Sequence, residues 1–378
     1  MAPLGRISWM GQVDAVLASV SDMLYSWGLM WLLIGAGVFF TVRTRGVQVR
    51  HTDAIAASVI GSRDGSHGGI TSFQAFAVGL ACRVGTGNIV GVALALILGG
   101  PGAVLWMWLV AILGTATAFS EATLAQLFKV RRPDGTFRGG PAYYISRGLG
   151  LPILGGVFAV VFLIANGLVM PMVQANAITA SLQGAGGLSP SLGAVLVVAL
   201  TAPVLLGGLR AMARVAEYLA PFMALAYLVL VLAILLTHPV QALEAVRSII
   251  EGAFGLRQGL GGLAGGVTAA LLNGVRRGLF SNEAGLGGAA CAAGSATVSH
   301  PVQQGFIQAF GVVVDTLFVC TATALAILVA GADVLQPGAS AKESAGTLTQ
   351  DAIAHLVGEW SRWPMALLVV VLAYTTII

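Results

Sequence analysis

Apolar residues follow one another in repeated stretches of about 17 to 30 positions, and charged residues gather in the short segments between them. The stretches lack the alternating pattern of strands in an outer-membrane barrel, so each is expected to be a helix. The pattern therefore predicts an all-α integral membrane protein. The nine predicted spans are residues 24–42, 73–98, 102–128, 151–182, 191–208, 215–237, 260–292, 303–331 and 363–378.

The composition agrees with a chain that lies mostly in lipid. Of its 378 residues, 57% are hydrophobic and only 9% are charged. In soluble domains about a quarter of all residues are charged, so a soluble enzyme is excluded. The net charge of +4 is spread over many short loops and forms no single basic face, so nucleic acid is not expected as a partner.

The distribution of positive charge predicts the orientation in the bilayer. The loops at residues 42–72, 129–150 and 208–214 hold most of the 19 lysines and arginines. By the positive-inside rule these loops face the cytoplasm and the N-terminus faces outside. We therefore expect a multi-pass protein of the plasma membrane, which in a bacterium is the inner membrane.

Two glycine-rich polar patches interrupt predicted spans, VGTGNIVGV at residues 84–92 and GVRRGLFSNEAGLGGAA at residues 274–290. Inside lipid every backbone group needs a partner, so such a patch must line a cavity or pack tightly on other protein. Helix breaks are predicted near positions 86 and 281. Glycines alone could serve close helix packing, but packing does not call for Thr86, Asn88 or Glu283 in hydrocarbon. Two interrupted helices at corresponding places point to the midplane site of a secondary transporter.

Long motifs in this chain resemble the alanine or glycine:cation symporter family. They are the stretch from SFQAFAVGLACRVGTGNIVGVALALILGG at residue 72 onward to residue 130, FRGGPAYYISRGLG at 137–150 and RRGLFSNEAGLG at 276–287. The resemblance implies a LeuT-like inverted-repeat bundle with an extra N-terminal helix. It also implies sodium-coupled uptake of alanine or glycine by alternating access, with sodium co-transported and no organic cofactor.

The resemblance divides the chain into four parts. Residues 1–23 are expected to be an N-terminal extracytoplasmic segment, 24–50 a peripheral first helix, 73–237 the first five-helix repeat, and 260–378 the start of the second repeat. The last span, of about 16 residues, would reach roughly 24 Å across a hydrocarbon core near 30 Å. We therefore expect the chain to be truncated in the ninth span.

The resemblance also implies a binding site for the amino acid. Backbone amides freed near the first break would receive its carboxylate at a half-helix N-terminus. Phe280, Ser281 and Asn282 of the seventh span would supply an apolar wall and carbonyls for the ammonium and methyl groups of the amino acid. The expected substrate-binding residues are Gly85, Thr86, Gly87, Asn88, Gln174, Phe280, Ser281 and Asn282. For Gln174, a plain helix-to-helix hydrogen bond is the alternative.

For sodium, the resemblance implies hydroxyls of the ninth span together with backbone carbonyls near Gly85. The expected ligands are Thr375 and Thr376, unless their hydroxyls bond back to the preceding turn of their own helix. Glu283 is expected to pair with an arginine of another span. Asp315 is the candidate for proton coupling, so a proton-coupled amino-acid transporter is one alternative.

Two other classes of membrane protein would require features that this sequence lacks. An ion channel would need rings of charge or a repeated filter loop, and the sequence has neither. An intramembrane enzyme would need a nucleophile with a base, or paired metal ligands. All five histidines fall in predicted loops or span ends, and no two lie one helical turn apart. The sequence therefore predicts a transporter and no enzymatic activity.

Overall fold

The structure is a computed structural model that describes residues 4–60, 69–255, 263–331, 334–335 and 345–378. Several predictions extend beyond this part of the chain: the first residues of the segment 1–23, the middle of the loop 42–72 and the start of the span 260–292. Those portions lie outside the described residues.

The described chain is almost entirely helical. Its helices are α1 Leu4–Met23, α2 Met30–Arg43, α3 Val47–Arg50, α4 Thr52–Ile60, α5 Ser72–Arg83, α6 Gly87–Gly99, α7 Ala103–Leu127, α8 Pro141–Tyr143, α9 Pro152–Gly186, α10 Pro190–Leu206, α11 Gly208–Thr237, α12 Pro239–Ala253, α13 Leu263–Asn282, α14 Gly288–Gly294, α15 Pro301–Ala330, α16 Leu348–Val357 and α17 Glu359–Ile377. Two short antiparallel strands, β1 Val130–Arg131 and β2 Phe137–Arg138, form a hairpin after α7.

Five of these helices are long and apolar enough to cross a membrane, namely α7, α9, α11, α15 and α17. The pair α5 and α6, bent by 45° at a short break, makes a sixth span within the described residues. The predicted spans 24–42 and 191–208 correspond to the shorter apolar helices α2 and α10. The prediction of an all-α membrane protein is confirmed, while the inverted relation between residues 73–237 and 260–378 stays a prediction.

The segment predicted to precede the first span is itself helical. The chain runs from α1 through Leu24–Leu29 into α2 without a turn, so position 24 is not an element boundary. Apolar side chains such as Trp31 and Leu32 are more than half exposed on this helix, which fits a helix at the lipid-facing edge of the bundle.

Helices α12 and α16 were not predicted, and for α12 the reason is that its apolar residues form no continuous run. In α12 the buried residues Ala245, Ile249 and Ala253 recur every fourth position. This spacing gives a single apolar stripe, which packs an amphipathic helix on the bundle.

Helix α7 lies at the centre of the bundle and packs against α2, α13 and α15. Glycines allow the close approach: a Cβ added at Gly278 would lie 3.1 Å from the Cα of Met107. In the most apolar window of α7, 67% of the residues are buried, whereas the corresponding value for α9 is 6%. Helix α9 therefore presents most of its surface to lipid, and α7 supports the interior.

Candidate functional site

The first break lies between α5 and α6, at residues 84–86. The Gly85 N–H donates to Oδ1 of Asn88 at 3.0 Å and to the Arg83 carbonyl at 3.0 Å. The Thr86 N–H donates to Oε1 of Gln174, 3.1 Å away on α9. Side-chain amide oxygens thus take over donors that an unbroken helix would bond to its own carbonyls. At this break the amides of Gly85 and Thr86 therefore each bond a side-chain oxygen.

Gln174 lies at the break itself and is only 4% exposed. Its bond to Thr86 is made to a freed backbone amide, so it links two helices at the predicted site. Space beside Gly85 is very tight: an added Cβ would lie 2.5 Å from Oγ1 of Thr376 and 3.1 Å from Oε1 of Gln174. Glycine at position 85 lets both side chains reach the backbone.

The second break follows α13, which continues to Asn282, so the break occupies residues 283–287 and begins slightly later than predicted. Glu283, Gly285 and Gly287 turn the chain with positive φ angles of 52°, 90° and 97°. The Gly285 N–H donates to Oε2 of Glu121 on α7 at 2.7 Å. A carboxylate therefore accepts from the amide that this turn frees.

The two breaks face each other. A Cβ added at Gly87 would lie 3.5 Å from the Phe280 ring and 3.5 Å from the Cα of Ser281. Asn282 is wholly buried, and its Nδ2 has no hydrogen-bond partner. Phe280 thus lies against the first half-helix, whereas the unused amide donor of Asn282 lies against α7, 3.3 Å from a Cβ added at Gly114.

Asp315 joins the two breaks from the middle of α15. Its Oδ1 accepts from Nδ2 of Asn88 at 2.5 Å, and its Oδ2 accepts from Oγ of Ser281 at 2.9 Å. Oγ1 of Thr316 donates to the same Oδ2 at 2.7 Å. Two predicted substrate residues, Asn88 and Ser281, therefore direct their side chains at this carboxylate.

The two predicted sodium ligands differ in position. Oγ1 of Thr376 donates to the Ala81 carbonyl of α5 at 2.7 Å and to Leu372 of its own helix at 3.1 Å. Oγ1 of Thr375 donates to the Leu372 carbonyl at 2.8 Å. Thr376 therefore reaches the first broken helix, whereas the bond of Thr375 is the back-bond left open as its alternative.

Sequence reasoning missed a clamp formed by Arg83, which is 3% exposed. Its Nε donates to the Asn282 carbonyl at 2.9 Å, and its Nη1 donates to Oε1 of Gln308 at 2.9 Å. The clamp thus fastens the end of α5 to the end of α13. Residues 304, 308, 311 and 315 recur at intervals of four and three positions, so the polar face of α15 could have been predicted from Gln304, Gln308 and Asp315.

The expected pair between Glu283 and an arginine is not found among the described residues. Within the described part of the chain, the ion pairs do not include Glu283. Arg83 bonds the Asn282 carbonyl, and Arg276 bonds Asp22 of α1 at 2.8 Å. Arg83 and Arg276 therefore have other partners, and the buried Nε of Arg277 has no hydrogen-bond partner among the described residues.

An all-helical bundle of apolar spans with an interrupted helix beside its buried polar groups defines a multi-pass membrane protein. Residues 10–378 match the sodium:alanine symporter family, and the chain belongs to that family. It is thus a member of a family of cation-coupled amino-acid transporters and not an enzyme.

Three relatives illustrate the similarity. A probable sodium/glutamine symporter, GlnT, of Bacillus subtilis (strain 168) is 40% identical, over 97% of this chain and 75% of the relative. A putative sodium/proton-dependent alanine carrier protein, YrbD, of the same strain is 46% identical, over 83% of this chain and 64% of the relative. The sodium/alanine symporter AgcS of Methanococcus maripaludis is 38% identical, over 81% of this chain and 69% of the relative.

Proposed function

We propose that the protein is a sodium-coupled symporter of alanine or glycine that works by alternating access around the two breaks. The observation that carries this proposal is the Thr86 N–H, which is bonded by the neutral amide oxygen of Gln174. A substrate carboxylate accepts a stronger, charge-assisted hydrogen bond than an amide oxygen does. The carboxylate would therefore displace Gln174, whose freed amide would bond the other end of the zwitterion.

The size of the substrate follows from the packing opposite Gly87. Phe280 already lies at ordinary contact distance from a Cβ placed there, so little depth is left beyond a methyl group. Forced overpacking costs about 1 to 3 kcal/mol, which exceeds the roughly 0.8 kcal/mol gained for each buried methylene. Alanine and glycine would thus be accepted and larger side chains rejected, although one relative is named for glutamine.

Sodium would bind beside the first break. Thr376 offers a hydroxyl oxygen, and the Ala81 carbonyl that it contacts is a second oxygen on α5. Hard cations prefer such oxygen ligands. Thr375, one residue earlier, is the further candidate. A sodium ion here and a carboxylate at Thr86 would attract each other in a medium of low dielectric constant, and this attraction would couple the two fluxes.

The proposal extends to architecture and orientation. Residues 73–237 and 260–378 would form the two members of an inverted repeat, each opening with its broken helix. The N-terminus would face outside, in keeping with the positive loops. A cysteine introduced in the exposed hairpin, at Thr136, should react with an impermeant maleimide only after the cells are opened. Labelling of intact cells would reverse the orientation.

The coupling is tested by titrating alanine into purified protein in sodium chloride and in choline chloride. We expect the alanine Kd to be at least tenfold lower in sodium, and glutamine and leucine not to compete. Equal affinity in both salts would refute sodium coupling, and equal affinity that responds only to pH would favour proton coupling instead. Competition by glutamine as strong as that by alanine would refute the small pocket.

A further inference from the structure

Asp315 is an unpaired carboxylate in the interior. It is 0% exposed, and no lysine or arginine of the described residues forms an ion pair with it. The buried guanidinium of Arg83 donates to the Asn282 carbonyl and to Gln308. A charge in such a place is costly unless another charge compensates it. Arg83 acts on Asp315 through space only, without a hydrogen bond or an ion pair to it. Among the described residues no cation therefore contacts the carboxylate, and the position calls for one.

The groups around Asp315 suit a small hard cation. Hydroxyls of Ser281 and Thr316 lie 2.9 and 2.7 Å from Oδ2, and rotation of each O–H would turn its lone pairs to an ion. The ligands would be a carboxylate and hydroxyls, which are oxygen donors. No group of three His, Cys, Asp or Glu that could hold a metal occurs in the described part of the chain, so a transition metal is not favoured.

We infer that Asp315, Ser281 and Thr316 form a second site for a monovalent cation, sodium, separate from the one proposed at Thr376. The side chain of Asn88 would orient the carboxylate through Oδ1. Because Ser281 shortly precedes the second break and Asn88 shortly follows the first, an ion here would draw the two broken helices together. This inference rests on the proposed function for its role in transport, but sodium binding to the site does not require an amino acid.

The test measures sodium binding without substrate. The Tm of purified protein is followed as sodium chloride replaces choline chloride at constant ionic strength, in the Thr375→Val, Thr376→Val double variant and in the same variant carrying Asp315→Asn. We expect sodium still to stabilise the double variant, because the second site is intact. Adding Asp315→Asn, which preserves shape and removes charge, should abolish this stabilisation.

Milder variants keep the test informative if Asp315→Asn does not fold. Ser281→Ala and Thr316→Val retain the carboxylate and should each raise the half-saturating sodium concentration several-fold in the double-variant background. Cys320→Ala is the local control, because its Sγ lies 3.1 Å from Oγ of Ser281 but is no ligand for a hard cation. Glu121→Gln is the charge control, since it neutralises another buried carboxylate.

Three outcomes would overturn the inference: no stabilisation by sodium in the double variant, stabilisation that survives Asp315→Asn, or an equal loss in Glu121→Gln. Stabilisation that follows pH and ignores sodium would also overturn it, in favour of a proton at Asp315. The proposed function fails separately, through the alanine titration, because that experiment depends on substrate and this one does not.

Discussion

The backbone groups at the two breaks bond partners of different charge. At the first break, the amides of Gly85 and Thr86 bond neutral side-chain amides, those of Asn88 and Gln174. At the second break, the Gly285 amide bonds the carboxylate of Glu121, and the Asn282 carbonyl bonds the guanidinium of Arg83. Hydrogen bonds to charged groups are roughly twice as strong as neutral ones. The partners at the first break are thus neutral and easier for a ligand to replace, whereas those at the second break are charged and bound more strongly.

This difference gives each break its own role. A neutral acceptor can leave an amide with modest loss, so a passing carboxylate can take its place. Breaking the bond to a buried ionic partner would leave an uncompensated charge, and the free-energy cost of that charge keeps the bond in place. Under the proposed function, the first break would receive the substrate, and the second would keep its shape while the substrate binds and leaves.

Removal of the clamp should have the largest effect. Arg83→Leu leaves the Asn282 carbonyl and Gln308 without their donor, and the loss of two hydrogen bonds to a charged group costs about 3 to 5 kcal/mol. We expect uptake to vanish and the Tm to fall clearly. Arg132→Ala is the matched control, because its pair with Asp134 at 3.4 Å is largely exposed and should add little. Near-normal uptake in Arg83→Leu would show that the two breaks do not depend on this link.

Crowding at the first break should come next. In Gly85→Ala the new methyl would lie 2.5 Å from Oγ1 of Thr376, so the hydroxyl or the backbone must move. At an overpacking cost of about 1 to 3 kcal/mol we expect uptake to fall about tenfold or more. Gly91→Ala, six residues further along, has no atom within 4 Å of its Cβ and should transport normally.

The opposite results at these two glycines would be equally informative. Normal uptake in Gly85→Ala would mean that the break tolerates filling and receives no ligand. Gly87→Ala, whose Cβ meets Phe280 at 3.5 Å, should fall between the two, because that distance is ordinary contact.

Loss of one hydroxyl should have a moderate effect. Thr376→Val preserves the branched shape and removes the oxygen at the Ala81 carbonyl, so half-maximal uptake should need several-fold more sodium. Thr375→Val removes a hydroxyl that bonds its own helix and should change this concentration less. Alanine affinity at saturating sodium should recover in both. Uptake measured across a sodium range decides the order, and an unchanged response in the double variant would exclude both residues as ligands.

Neutralisation of the Glu121 carboxylate at the second break should have the smallest effect. Glu121→Gln retains an acceptor for the Gly285 amide but loses the charge, which weakens the bond by about 1 kcal/mol. We expect a Tm lower by a few degrees and uptake reduced by about two- to threefold. Glu121→Ala, which removes the acceptor, should be clearly worse. Equal behaviour of the two variants would show that charge and acceptor are both dispensable there.

The sequence predicted both breaks because glycines with polar neighbours are rare inside lipid-embedded helices. It placed the second break slightly early, since Ser281 and Asn282 look as polar as the turn that follows, and only the positive φ of residues 283, 285 and 287 fixes its position. Partners distant in the chain were less accessible. Glu283 was expected to pair with an arginine of another span, but helix packing gave Arg83 a backbone carbonyl as partner, which no sequence pattern encodes.

The two threonines show a second limit of sequence. Both lie at the end of one apolar helix, and adjacent helical positions point about 100° apart, so rotation of the helix decides which hydroxyl reaches the break. Gln174 was expected at the site because of the family resemblance. Its exact partner, the Thr86 amide, depended on how α9 meets α5.

Gln174 lies on a helix that mostly faces lipid, and this position links the first break to the bilayer. This side chain holds the Thr86 amide from α9. Among the five long apolar helices of the described residues, α9 has the smallest buried share, 6% of its most apolar window. A span surrounded by acyl chains adjusts its tilt to the thickness of the hydrocarbon. We therefore expect alanine affinity in vesicles to change with acyl-chain length, and a Gln174→Met variant to lose that dependence. Bilayer thickness would then act as a regulator of the transporter.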